Sequence, residues 1–325
     1  MKPIRVVALV QFAVLFALAA QAAFAQDYPT RPIRILSPYA PGGISDIAAR
    51  IVGGKLTEAW GQQVIVENRP GGNGFIAVTD AARATPDGYT LVMATAGDVT
   101  INPSLFKNVP YDVDRDLAPI SAVSDAPLVL AANGATPYKT LADVIAAAKA
   151  QPGMLNMGTP GYGSINHLVL ESLSLNTGIK FTHVPYKGGA PAVQALVAGD
   201  IPLAIIASST AAPHVSSGKI RILGVTTGER SPLNPEWPPL AQQGAGDINV
   251  SNWTALLGPK AIPQPIIQKL SAKVIEILRM PDVKERFAAG GVSTIPSTPD
   301  ELAARIKREL ATYRGVIEKA SVHVD

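Results

Sequence analysis

Short apolar runs alternate along this chain with longer amphipathic stretches. Ile33-Arg-Ile-Leu-Ser-Pro38 leads to a helical pattern over about 45–60, and Gln63-Val-Ile-Val-Glu67 to one over about 75–84. Pro86-Asp-Gly88 then turns the chain into Tyr89-Thr-Leu-Val-Met-Ala94. The middle repeats the rhythm, with β-like runs at 155–158, 181–186, 201–207 and 220–226 and helical runs at about 141–151, 165–177 and 190–198 and from near 210. Strands alternating with helices at this spacing predict parallel α/β sheets with crossover connections. Two amphipathic helices, about 264–279 and 299–320, close the chain and read as packing helices.

Two longer β-like stretches, 120–132 and 250–257, flank the middle block. Two crossings of one boundary are what a hinge between lobes looks like. The pattern therefore predicts one lobe from 27–124 plus 252–325 and a second from 125–251. No period of 20 to 50 residues recurs, which excludes a solenoid.

The N-terminus changes the picture. Lys2 and Arg5 precede an apolar run from Val6 to Ala20, and Ala23-Phe24-Ala25 fits a small-x-small cleavage site. Residues 1–25 thus read as a secretory signal peptide cut after Ala25, sending the mature chain to a periplasm or outside the cell. The chain has no cysteine, so disulfides, thiolate metal sites and a lipid-modified cysteine are all excluded. Its net charge of +3 falls to +1 without the leader. Without a long basic run or aromatic-basic interleaving, nothing points to nucleic acid. Hydrophobic content of 47% with 16% charged residues indicates a well-buried globular protein.

Open α/β sheets bind ligands beyond the carboxyl ends of their strands. The segments there are Tyr39-Ala-Pro-Gly-Gly-Ile-Ser45 and Thr95-Ala-Gly97 in the first lobe. The second offers Thr159-Pro-Gly-Tyr-Gly-Ser164, Lys187-Gly-Gly189 and Ser208-Ser-Thr210. All are rich in glycine or hydroxyl groups, and most open a helix. Helix N-termini and free amides favour an anion. No Lys-Ser/Thr pair follows Gly42-Gly43, as a phosphate loop requires, so the smaller charge of a carboxylate suits the wall better. Asp46 and Asp98 sit in first helical turns and read as structural. His167, His183 and His214 are dispersed, without metal-ligand spacing, and read as structural too.

Catalysis finds little support. Ser164 lies in Gly161-Tyr-Gly-Ser164-Ile-Asn-His167, which is not the Gly-x-Ser-x-Gly elbow, and it reads better as a helix N-cap. Neither a His-Glu-x-x-His zinc motif nor a dinucleotide fingerprint occurs. The expectation is a binding protein without cofactor or metal.

The segments "YPTRPIRILSPYAPGGISD", "VIVENRPGGNG", "ATPDGYTLVMAT", "INPSLF", "GYGSINHL", "HVPYKGGAPA" and "SNWTALLGPK" run in the order seen in the Bug family. The mature chain resembles these periplasmic receptors of tripartite tricarboxylate transporters over its whole length. The resemblance implies a two-lobed periplasmic-binding-protein fold that closes on a small organic carboxylate by hinge motion. It also implies a monomer that delivers its ligand to a permease of one large and one small subunit. Carried onto this sequence, the family's ligand loops fall at Tyr39, Gly42, Gly43, Ser45, Thr95, Ala96, Gly97, Gly163, Ser164 and Lys187, with Ser208 opening a further loop. One departure stands out. Many relatives carry an acidic and then a small polar residue where this chain has Ile206 and Ala207. Losing that carboxylate disfavours a ligand ammonium and suits an alkyl or aromatic carboxylate. A carboxylate sensor that signals through a membrane protein instead of feeding transport is the alternative.

Overall fold

The structure, a computed structural model, describes residues 28–231 and 233–322. The leader expected at 1–25 lies outside them. Ten strands are linked in the order β2-β1-β3-β9-β4-β7-β5-β6, with β8 and β10 joined to β4. β1 (Ile33–Ser37) pairs in parallel with β2 (Val64–Asn68) and β3 (Thr90–Thr95). β5 (Asn156–Thr159) pairs in parallel with β6 (Thr182–Pro185) and β7 (Leu203–Ala207). Both triplets use the crossover helices that the alternation predicts.

The departure from an all-parallel sheet lies at the centre. β4 (Leu117–Asn133) is seventeen residues long and serves two neighbourhoods. Its first part, to Pro127, pairs antiparallel with β9 (Ser251–Pro259), and β10 (Ser293–Thr294) joins it at Ser124 and Asp125. Its second part, from Leu128, pairs antiparallel with β7 and with β8 (Ile220–Val225). One strand therefore belongs to both halves of a two-lobed molecule. Buried on both faces over most of its length, it shows as a continuous apolar run rather than an alternating one.

Helices cover these sheets: α1 (Ile44–Trp60), α2 (Phe75–Ala82), α3 (Leu141–Ala150), α4 (Ile165–Thr177), α5 (Gly189–Ala198), α6 (Ser208–Val215), α7 (Gln264–Arg279), α8 (Pro281–Ala289) and α9 (Pro299–Ala320). α7 and α9 end where their patterns predict. Sequence reading passes over α8, although Pro281 occupies its first turn and Val283 and Phe287 bury one face. It also passes over the π-helical turn Gly97–Ile101, which runs on into a short helix, Asn102–Leu105. The second lobe places Leu168 and Leu173 of α4 in the same core as Leu302, Ile306 and Tyr313 of α9. Thus α9, though last in sequence, packs against both halves. Thr298 caps it with a reciprocal Glu301 bond, the pairing that satisfies two otherwise orphaned donors.

Candidate functional site

Three strand ends converge on one cleft. After β1, the loop to α1 is pinned by Asp46, whose carboxylate accepts from Gly42 N–H at 2.9 Å, Arg50 Nε at 3.1 Å and Asn68 Nδ2 at 2.9 Å. Asn68 Nδ2 also donates to the Tyr39 carbonyl. Gly42 has φ +85°, a conformation that glycine adopts without penalty. Gly43 is the N-cap of α1 and leaves it without a side-chain cap, so first-turn amides face the cleft as anion donors.

After β3, Asp98 organises the next loop from beneath. It is fully buried, and its carboxylate accepts from Thr95 N–H at 2.7 Å, Thr95 Oγ1 at 2.8 Å and Tyr39 Oη at 2.8 Å. Burial raises its carboxyl from the usual 3.8 to about 6, against the pull of those three donors. Tyr111 Oη donates to the Asp98 carbonyl, and Gly74 leaves room for the carboxylate.

After β5, Ser164 caps α4, accepting from His167 N–H at 3.2 Å while its hydroxyl donates to the Gly161 carbonyl at 2.7 Å. The N-cap role is the one sequence reading gives it. Gly163 N–H donates to His167 Nδ1 at 3.2 Å, which leaves the ring proton on Nε2, 3.3 Å from Glu171 Oε1. The histidines are less dispersed than their sequence positions suggest. His167 and His183 stack at 4.1 Å and 11°, with Tyr162 over His167 at 4.6 Å. The crossover from β5 through α4 to β6 brings the two rings together. His183 Nε2 lies 2.7 Å from Thr159 Oγ1, and burial, with His167 adding to it, lowers its imidazole to about 4.

A cavity of about 450 Å³ lies between these loops, within the size range of small-molecule sites. The first lobe lines it with Tyr39, Gly43, Ile44, Asn73, Thr95, Gly97 and the segment Ile101, Asn102, Leu105 and Phe106. The second supplies Tyr162 through Asn166, and Asn252 of β9 completes it. No ionisable carboxyl, amine, guanidinium or imidazole group is among these residues. Of the positions expected from sequence, Tyr39, Gly43, Thr95, Gly97, Gly163 and Ser164 meet here. The others lie elsewhere. Ser45 is fully buried, its hydroxyl 2.9 Å from Ser37 Oγ. Ala96 is buried, Gly42 is turned to Asp46, Lys187 is exposed beyond β6, and Ser208 is buried at the start of α6. Sequence reading misses Asn73, Asn102, Asn166 and Asn252. "INPSLF" and "SNWTALLGPK" contain two of them, but neither pattern says which side chains face a cleft.

A larger cavity, about 740 Å³, opens between the C-terminal half of α4, the 247–251 segment and α9. It contains none of the three loops, so its size does not make it the ligand site. Among the described residues, no group of three or more histidines and carboxylates could hold a metal ion, and no helix is long and apolar enough to cross a membrane.

Two sheets sharing one long strand, with a helix N-terminus from each side of the cleft, define a two-lobed solute-binding protein. The comparisons agree. The structure of R. palustris Rpa4515 with adipate superposes with a TM-score of 0.79 at 29% identity, covering 91% of this chain and 99% of that one. MatC from Rhodopseudomonas palustris with bound malate gives 0.74 at 29% identity, covering 89% and 100%. Protein BugT of Bordetella pertussis is 35% identical over 296 residues, 91% of each chain. The model of the tripartite tricarboxylate transporter family receptor, TctC, matches residues 48–322. The chain belongs to this receptor family, whose members and structural neighbours are substrate-binding receptors rather than enzymes.

Proposed function

We propose that this chain is a periplasmic receptor that captures a small organic carboxylate between its lobes and delivers it to a tripartite permease. One observation carries the reading: a cavity built from the N-terminal ends of α1 and α4, walled by amides and free of ionised side chains. A helix terminus contributes about 0.3–1 kcal/mol toward an anion, and roughly 2 when partly buried. Each charge-assisted hydrogen bond adds about 1.5–3 kcal/mol. A few of these, offset by association entropy, supply the roughly 8 kcal/mol of a micromolar complex. The relatives solved with adipate and malate support the same ligand class.

We place the lobe boundaries near residues 124 and 252, with β4 and the entry to β9 as the two hinge crossings. The change of β4 partners between Pro127 and Leu128 supports this division. Export through the leader at 1–25 and a monomeric receptor complete the proposal.

Isothermal titration of the mature chain with mono-, di- and tricarboxylates tests it, with a micromolar response to at least one expected. No response to any carboxylate removes the reading. Loss of uptake of that carboxylate on deletion of the gene separates transport from sensing.

A further inference from the structure

Several of the polar groups that line the cavity are committed to partners within the protein. Thr95 Oγ1 and Tyr39 Oη donate to Asp98, and Ser164 Oγ donates to the Gly161 carbonyl. Gly163 N–H is taken by His167 Nδ1. Asn102 Nδ2 donates to the Asn73 carbonyl, and Asn166 Nδ2 to the Ile205 carbonyl. The donors left for an anion are the first-turn amides of α1, which has no side-chain cap, and of α4, with the side-chain amides of Asn73 and Asn252.

The rest of the wall is apolar. Ile44, Ile101, Leu105, Phe106 and Ile165 line the space, and Tyr162, 53% exposed, presents a ring backed by the His167 and His183 stack. A second carboxylate against this surface loses its hydration without gaining a partner, and an unpaired buried charge is strongly disfavoured. An α-ammonium fares no better. The nearby carboxylate, that of Asp98, is fully buried and already accepts three hydrogen bonds.

We propose that the cleft selects a monocarboxylate with an apolar body over dicarboxylates, tricarboxylates and amino acids. This rests on the receptor reading above and narrows its ligand class. One end of the ligand meets the α1 amides, and the other lies along Ile101, Leu105, Phe106 and Tyr162.

Matched ligands test it by isothermal titration of the mature chain: hexanoate against adipate, benzoate against terephthalate, and hexanoate against norleucine. In at least one acid pair the monoacid binds tenfold or more tighter, and norleucine binds at least tenfold more weakly than hexanoate. A ratio below tenfold in both acid pairs, or norleucine binding as well as hexanoate, overturns the inference and leaves the receptor reading standing. Silence from every carboxylate, with citrate and malate included, removes both. Phe106→Asn, at a half-exposed position on the proposed apolar path, provides the second arm. It weakens the preferred monoacid about tenfold more than it weakens adipate, and an unchanged monoacid affinity overturns the proposed apolar contact.

Discussion

Tyr39 Oη donates to Asp98 Oδ1 across 2.8 Å, joining the loop after β1 to the loop after β3. Tyr39 lines the cavity and Asp98 lies behind it. The bond thus fixes a cavity-lining ring through a carboxylate buried behind the cavity wall. Thr95 is held by the same carboxylate through both its N–H and its hydroxyl. The arrangement leaves a negative charge buried beneath the proposed anion site when Asp98 is ionised, which has consequences for stability.

Asp98 titrates near 6 in the folded chain, against the usual 3.8. Between those values the folded state holds a proton that the unfolded chain has released. Its contribution to stability is full below 3.8 and is lost as pH rises through 6. At neutral pH the ionised group costs on the order of 3 kcal/mol relative to an unshifted one. Asp98→Asn keeps an acceptor for Thr95 and lets Tyr39 Oη reverse its role. Urea unfolding should find the variant at least as stable as the parent at pH 7.5, with that advantage gone at pH 4.

His183 works in the opposite direction. Its folded-state imidazole titrates near 4 against the usual 6.5, because burial and His167 disfavour its charge, with Glu171 opposing them. Stability is full above 6.5 and is lost as pH falls through 4. Over pH 4–6 the two groups partly cancel. His183→Phe preserves the ring stack and removes this slope, so the variant gains stability relative to the parent as pH drops from 7.5 to 5. Matching profiles for variant and parent would contradict the assignment.

Much of the fold was legible because its elements obey simple periods. α7 and α9 each combine an apolar stripe with proline in the first turn, and both are found where the stripe lies. β4 showed as a long apolar run because both its faces are buried. The site was legible at the level of loops and less so at that of side chains. Gly43, Gly97 and Ser164 reach the cavity, whereas Ser45, one helical residue beyond Ile44, turns inward to Ser37. Which face a helix buries follows from its pattern, but which donors remain free depends on partners far away in sequence. Asn166 shows this, since the Ile205 carbonyl that takes its Nδ2 lies 39 residues on.

The middle of β4 carries its own charged group. Arg305 of α9 donates to Glu309 at 2.8 Å and to Ser251 at 3.2 Å, and stands 3.7 Å from Asp125 of β4. Its guanidinium also lies 4.9 Å over the ring of the buried Trp253. Burial raises the Asp125 carboxyl, with Ser251 and Arg305 opposing. Arg305→Ala leaves two part-buried carboxylates without their cation and should cost about 2 kcal/mol. Adding Asp125→Asn should recover a good part of that loss, because the unpaired charge is its main cause. A double variant no more stable than Arg305→Ala in thermal unfolding would assign the loss to packing on Trp253 instead.

Gly43 offers the sharpest separation of binding from folding. Its φ of −74° and ψ of 166° suit any residue, so conformational freedom does not explain a glycine there. A Cβ would meet only the Ala40 carbonyl at 3.4 Å and Tyr39 Cβ at 3.9 Å, ordinary contacts. The proposed carboxylate site supplies a different reason, the close approach of a ligand to the backbone. Gly43→Ala should change stability by under about 1 kcal/mol, as for Ala at a helix N-cap. It should weaken carboxylate binding at least tenfold in isothermal titration. Gly74→Ala makes the contrast, because its Cβ would stand 2.1 Å from Asp98 Oδ1 at a φ of +88°. That variant should lose stability first, and affinity only through it. Undiminished binding by Gly43→Ala would move the ligand away from the α1 N-terminus.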